Sequence, residues 1–144
     1  MDQVDFYILE NKDANGKLHY ACRLVQKAYA RGLKIGVHTQ NNEQTENFDS
    51  MLWTFSQGSF IPHQAVKSNS PDWWAYPVQI GSEPEAFAQA DIVVNLSTSA
   101  DAYEGECKRV AELLSNEEDD KSAGRNRFKQ YQDKGLVPNT YRIN

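Results

Sequence analysis

Cysteine is nearly missing. Cys22 and Cys107 stand 85 positions apart, and neither belongs to a C-x-x-C pair. A disulfide framework and a cysteine-bound zinc site therefore lack their raw material, and the chain reads as cytoplasmic and reduced. Long apolar runs are missing too: nothing approaches the ~20 residues a membrane helix needs. The opening MDQ has neither the basic lead nor the apolar stretch of a secretory signal, and no membrane partner is expected. Positive charge is in deficit, with 15 Lys and Arg against 20 Asp and Glu, a net charge of −5 and an isoelectric point near 5.2. That balance excludes a protein whose main task is to coat nucleic acid, while leaving room for a local basic patch.

The signatures of catalysis are scarce as well. The segment after the first apolar run, ENKDANGK, holds one glycine, so the amide-lined phosphate loops G-x-G-x-x-G and G-x-x-x-x-G-K-S/T are both unmatched. The next expected strand ends in His38-Thr39-Gln40, without the acid that would hold a ribose. His19, His38 and His63 have no metal-ligand spacing with each other or with a cysteine. His63 follows Pro62 and suits a ligand, a base or a ring bonded to nearby backbone. Cys22 sits on an apolar helix face, the place of a buried thiol more than of a nucleophile. Glu83, Glu85 and Asp91 carry nothing that marks an acid/base pair. No cofactor, no metal and no enzyme activity are expected.

What is present is a 144-residue chain of 16.4 kDa, 40% hydrophobic and 24% charged, the balance of one globular domain over residues 1–144. Residues 4–9 (VDFYIL) read as a buried strand. Leu18, Ala21, Cys22, Val25, Ala28 and Tyr29 recur at helical spacing, Gly32 stops that helix, and residues 34–39 supply a second strand. This β-helix-β unit predicts a parallel pair with a right-handed crossover. A second helix over 42–55 turns Phe48, Met51, Leu52 and Phe55 to the core, with Trp53 about 140° from Phe48 by the helical period. Residues 56–58 end it, 59–63 are extended, and 64–76 form a polar loop. Strands follow at 77–80 and 92–96, while 108–114 (KRVAELL) fits strand or helix, with strand favoured. The last helix opens with a capping box of Ser115 and Glu118 inside an acidic run, residues 117–120, and stops at Gly135. The tail 136–143 is suited to an edge strand. The alternation makes an α/β structure.

Two surfaces look suited to partners. On the last helix Lys121, Arg125 and Lys129 fall at i, i+4 and i+8, with Phe128 at the edge of the row and Arg127 and Lys134 close by. A basic row beside an aromatic suits an anionic peptide with an apolar residue. A solvated face paired with its own acidic first turn fits the same pattern, and so do nucleic-acid phosphates. The other surface runs from Trp53 to His63 (WTFSQGSFIPH). Trp53 off the core stripe, with Phe60 and Ile61 after it, suits an interface, although small domains also bury such aromatics. Trp73 and Trp74 in the polar loop suit either that patch or the cap of the sheet.

The segments VDFYIL, CRLVQKAYARG and LWTFSQGSFIPH, followed in order by PVQIG, IVVNLS, RVAELL and R-x-R-F-K-x-Y, resemble the chi subunit of bacterial DNA polymerase III holoenzyme. The likeness spans almost the whole chain. It implies a Rossmann-like fold with a mostly parallel sheet and helices on both faces. It also implies a non-catalytic adaptor in DNA replication, bound to the psi subunit and through it to the clamp loader. A second implied partner is the acidic C-terminal tail of single-stranded DNA-binding protein (SSB), so that DNA is reached only indirectly. Carried onto this chain, the psi surface would take Trp53, Phe60, Pro62 and His63. The SSB-tail site would take Leu114, Lys121, Arg125, Phe128 and Lys129. Gln132 stands where the family often has another base. The rival readings are a nucleotide-binding α/β enzyme and a direct binder of single-stranded DNA.

Overall fold

A computed structural model describes residues 1–55, 61–66 and 76–143. The elements alternate along the chain: β1 (Gln3–Leu9), α1 (Ala14–Ala30), β2 (Ile35–His38), α2 (Asn42–Phe55), β3 (His63–Ala65) and β4 (Val78–Gly81). A 3-10 turn (Pro84–Phe87), β5 (Ile92–Asn95), β6 (Arg109–Leu114), α3 (Glu118–Asp133) and β7 (Asn139–Ile143) complete it. The seven strands form one sheet in the order β3-β4-β2-β5-β6-β1-β7. Every pairing is parallel, including the edge strand β7 on β1, so the expected mostly parallel sheet is parallel throughout. The architecture is Rossmann-like α/β.

Alternation along the strands assigns each face its helices. Tyr7 of β1, Ile35 and Val37 of β2, and Ala111 and Leu113 of β6 pack with α1 (Ala21, Cys22, Val25, Ala28) and α2 (Phe48, Leu52). Val4, Phe6 and Ile8 of β1, and Val110 and Leu114 of β6, face the other way, onto Phe87 of the 3-10 turn and Tyr131 and Phe128 of α3. Phe48 is 0% exposed and Leu52 4%, each burial contributing roughly 1.5–3 kcal/mol. Gly124 lets α3 close on the sheet: a Cβ there would lie 2.5 Å from Leu114. Gly32 and Gly135 end α1 and α3 with positive φ of 75° and 88°, the left-handed stop expected of them.

Three local expectations need correction. The capping box of Ser115 and Glu118 does not form. Ser115 donates both its backbone N–H and its hydroxyl to Asp120, at 2.8 and 2.9 Å, because the Asp120 carboxylate is buried and needs donors. A similar exchange opens α2 instead, where Gln44 N–H donates to Asn41 Oδ1 and Gln40 N–H to Gln44 Oε1. The polar loop also starts later than expected, since His63–Ala65 pairs with β4 as a short edge strand. The helix stop at 56–58 and residues 67–75 of that loop, with Trp73 and Trp74, lie outside the described residues. Finally, Arg127 is not a surface base, for a reason that belongs to the site.

Candidate protein-binding surfaces

α3 presents Lys121, Arg125 and Lys129 to solvent, with Arg125 67% exposed at its side chain. Glu118, 82% exposed, approaches Lys121 at 3.8 Å and Arg125 at 4.0 Å. Such loose exposed pairs leave most of the cationic field available. Phe128 is half-buried, its ring 5.1 Å from that of Phe6, so one edge of an aromatic meets solvent beside the row. Leu114, expected to line the same site, is 6% exposed beneath Gly124 and supports the helix from below.

Arg127 points inward. It is 0% exposed and pairs at 3.1 Å with Glu112, also 0% exposed, while donating to the Ser99 carbonyl at 2.7 Å. Glu112 further accepts from Asn95 and, at 2.6 Å, from the Tyr131 hydroxyl. A buried arginine and glutamate persist only with such partners. Burial, then the adjoining Glu112 charge, pushes the Tyr131 hydroxyl far above its ordinary range, so it stays a donor. The bases facing solvent on α3 and at its C-cap are therefore Lys121, Arg125, Lys129 and Lys134.

Two of the four acids at the start of α3 are also committed to contacts with α1, Asp120 in the interior and Glu117 at the surface. Asp120 makes a buried pair with Lys17 at 3.0 Å, and Glu117 accepts the Ala14 N–H that opens α1 at 2.8 Å. Burial lowers the Lys17 pKa, against the pull of Asp120. The acidic run is thus partly a fastening between two helices, which reduces its opposition to an anionic ligand at the row.

At the opposite edge of the sheet Trp53 is 55% exposed, and its ring lies 4.7 Å from that of His63. His63 is buried, its Nδ1 2.6 Å from the Ile61 carbonyl and its Nε2 3.3 Å from Asp49. Its partners are backbone and a neighbouring carboxylate, the plainer of the roles that its sequence position allowed. Pro62 is half-buried beside it. Phe60 lies outside the described residues. The structure thus brings together Trp53, Pro62 and His63.

The C-terminal ends of the strands, where α/β folds hold ligands, carry a concavity of about 220 Å³ lined by His38, Asn95, Ser97 and Tyr103. Asp101 and Glu104 also line it, and carboxylates there repel a phosphate. Cys22 is fully buried and its thiol is pushed up to about 12 by desolvation. Among the described residues no group of His, Cys, Asp and Glu has metal-binding geometry, and no helix is long and apolar enough to cross a membrane.

The family profile described as DNA polymerase III chi subunit, HolC, matches residues 1–139. The chain belongs to the DNA polymerase III chi subunit family. Its relatives include DNA polymerase III subunit chi of Pseudomonas aeruginosa, 30% identical over 143 residues, covering 99% of this chain and 98% of that one. The Escherichia coli K12 protein of the same name is 25% identical over 145 residues, with 97% of each chain covered. The Haemophilus influenzae one is 22% identical over 128 residues, with 88% of each covered. This chi-family chain is therefore kin to accessory subunits of the replicative polymerase, associated with that complex.

One surface escaped the sequence reading. From residue 14 to residue 42 the chain has Lys17, Arg23, Lys27, Arg31 and Lys34 and not one Asp or Glu. Arg23, Lys27 and Arg31 stand at i, i+4 and i+8 and are exposed along α1 and its C-cap. A charge count by window, instead of a search for the densest cluster, would have found it.

Proposed function

We propose that this chi-family subunit joins two proteins at two separate surfaces: psi at the Trp53 patch and the acidic C-terminal tail of SSB at the α3 row. Through psi it reaches the clamp loader. It takes no part in catalysis, works in the cytoplasm as one domain over residues 1–144, and meets coated template by way of the tail. The observation that carries the reading is the row of half-buried Lys121 and exposed Arg125 and Lys129 beside the half-buried ring of Phe128. The bases offer charge-assisted hydrogen bonds to the tail's carboxylates, and the Phe128 edge offers an apolar contact to its last side chain. Leu114 serves by holding the helix at its depth. On the second surface Trp53 is the anchor, with Pro62 and His63 supporting its ring and Phe60 extending the patch. Neither contact has to be tight, since many tails on one strand raise the effective concentration at the polymerase.

Arg125→Glu should weaken a labelled SSB-tail peptide by at least the ~1.5–3 kcal/mol of one charge-assisted hydrogen bond, leaving psi binding intact. Trp53→Ala should do the reverse. Equal tail affinities for wild type and Arg125→Glu, measured by anisotropy titration, reject the assignment.

A further inference from the structure

Alongside α1 runs a concavity of about 200 Å³ lined by Tyr7, Tyr20, Leu24, Lys27, Arg31 and Arg109. A second, of about 480 Å³, adjoins it and shares Tyr20, Leu24 and Lys27, with Arg23 on its wall. The tyrosines form a short aromatic surface: Tyr7 stacks on Tyr141 at 5.3 Å and 24°, and lies 6.1 Å from Tyr20. Arg23 sits 5.9 Å from the centre of the Tyr20 ring. Among the described residues no carboxylate comes within 4.0 Å of Arg23, Lys27 or Arg31. Neither concavity has an acid in its wall. Asp5, the partner of the wall residue Arg109, is 3% exposed and also held by Gln3 and Asn139.

We propose that this face of α1 binds single-stranded nucleic acid without regard to sequence, its phosphates on Arg23, Lys27 and Arg31 and its bases against Tyr7 and Tyr20. The three cations rise by about 6 Å per step along the helix, a step comparable with that between successive phosphates of an extended strand. Bases of any identity present a face to an aromatic ring, which makes such contacts tolerant of sequence. An acidic peptide of the kind proposed for α3 calls for one apolar contact, whereas the adjoining rings of Tyr7 and Tyr20 offer room for more than one base. A duplex would use the charges but keep its bases stacked on each other. Lys27 and Arg31 lie at the negative end of the α1 dipole, so the contact is modest in strength and adds to tethering through the tail instead of replacing it. It stands apart from the α3 reading, because it uses other residues on the opposite face of the sheet.

The test uses the full chain and a labelled oligothymidylate of about 16 nucleotides, the upper end of a small site. Saturable binding at low salt is expected, with affinity falling as salt rises at a log–log slope of about 2 for three phosphates. Lys27→Glu/Arg31→Glu should weaken it at least tenfold, and Lys27→Gln/Arg31→Gln by less. Tyr20→Ala should lose about fivefold or more. Arg125→Glu should bind the oligonucleotide within twofold of wild type. Absent saturation at low salt overturns the proposal, and so does a loss that follows Arg125→Glu in place of the α1 variants. A third contrary result is an SSB-tail peptide that loses affinity with Lys27→Glu/Arg31→Glu, which would make α1 a peptide surface.

Discussion

Arg23, Lys27 and Arg31 on α1 repeat the i, i+4, i+8 spacing of Lys121, Arg125 and Lys129 on α3, yet the two rows lie in opposite settings. The α3 row begins in the first turn, beside Glu118 and the rest of an acidic run, with a single half-buried ring at its edge. The α1 row ends at the C-cap, far in sequence from any acid, with several tyrosine rings along it. Spacing alone therefore says that a helix can line up charge, and nothing about what the charge is for. Neighbouring carboxylates and rings carry that information.

The comparison breaks most sharply at the contact joining the two helices. Lys17 and Asp120 are each no more than 5% exposed, so Lys17→Met strands a buried carboxylate and should cost ~3–5 kcal/mol in chemical denaturation. Lys17→Met/Asp120→Leu should recover much of the loss; a single variant as stable as wild type would deny the pair its role. A smaller effect sharpens the contrast in acids. Glu118→Gln should raise SSB-tail affinity by about two- to fivefold, the weight of an exposed pair, and leave oligonucleotide binding alone. An unchanged tail titration would mean that Glu118 does not shield the row.

The smallest expected effect concerns Asp5. Burial raises its pKa, but hydrogen bonds from Gln3, Asn139 and Arg109 outweigh it, and the carboxyl ends below its ordinary 3.8. A depressed folded value means that the stabilisation is present above 3.8 and fades as pH falls through the lower, folded value. Denaturation of Asp5→Asn against wild type should therefore show a gap near neutrality that closes in acid. A constant gap would assign the effect to packing.

Most of the architecture could be read in advance, because parallel strands and amphipathic helices write their burial into period. Phe48, Leu52 and exposed Trp53 on α2 fell where the 3.6-residue repeat puts them. The segment RVAELL fitted strand or helix by pattern and is the strand β6 between β5 and β1, and the unclaimed tail supplies the edge strand β7. The misses share a different cause. Arg127 looked like a member of the basic cluster, and only its distant partner Glu112, fifteen residues back on β6, turns it inward. Ser115 looked like half of a capping box, and Asp120 took its hydrogen bonds because Lys17 holds that carboxylate in the interior. Pairings across the fold have no period, so composition and spacing do not reveal them.

The clasp between the starts of α1 and α3 joins positions 103 residues apart, through Ala14 with Glu117 and Lys17 with Asp120. A contact of that span closes late, after nearly the whole polypeptide is available. Until then Lys17 has no carboxylate to neutralise it, and the first helix keeps an extra charge in water. A nascent or truncated chain is consequently more basic along α1 than the finished protein. Completion of the last helix is the event that draws this lysine inside and fixes how far apart the two charged rows stand.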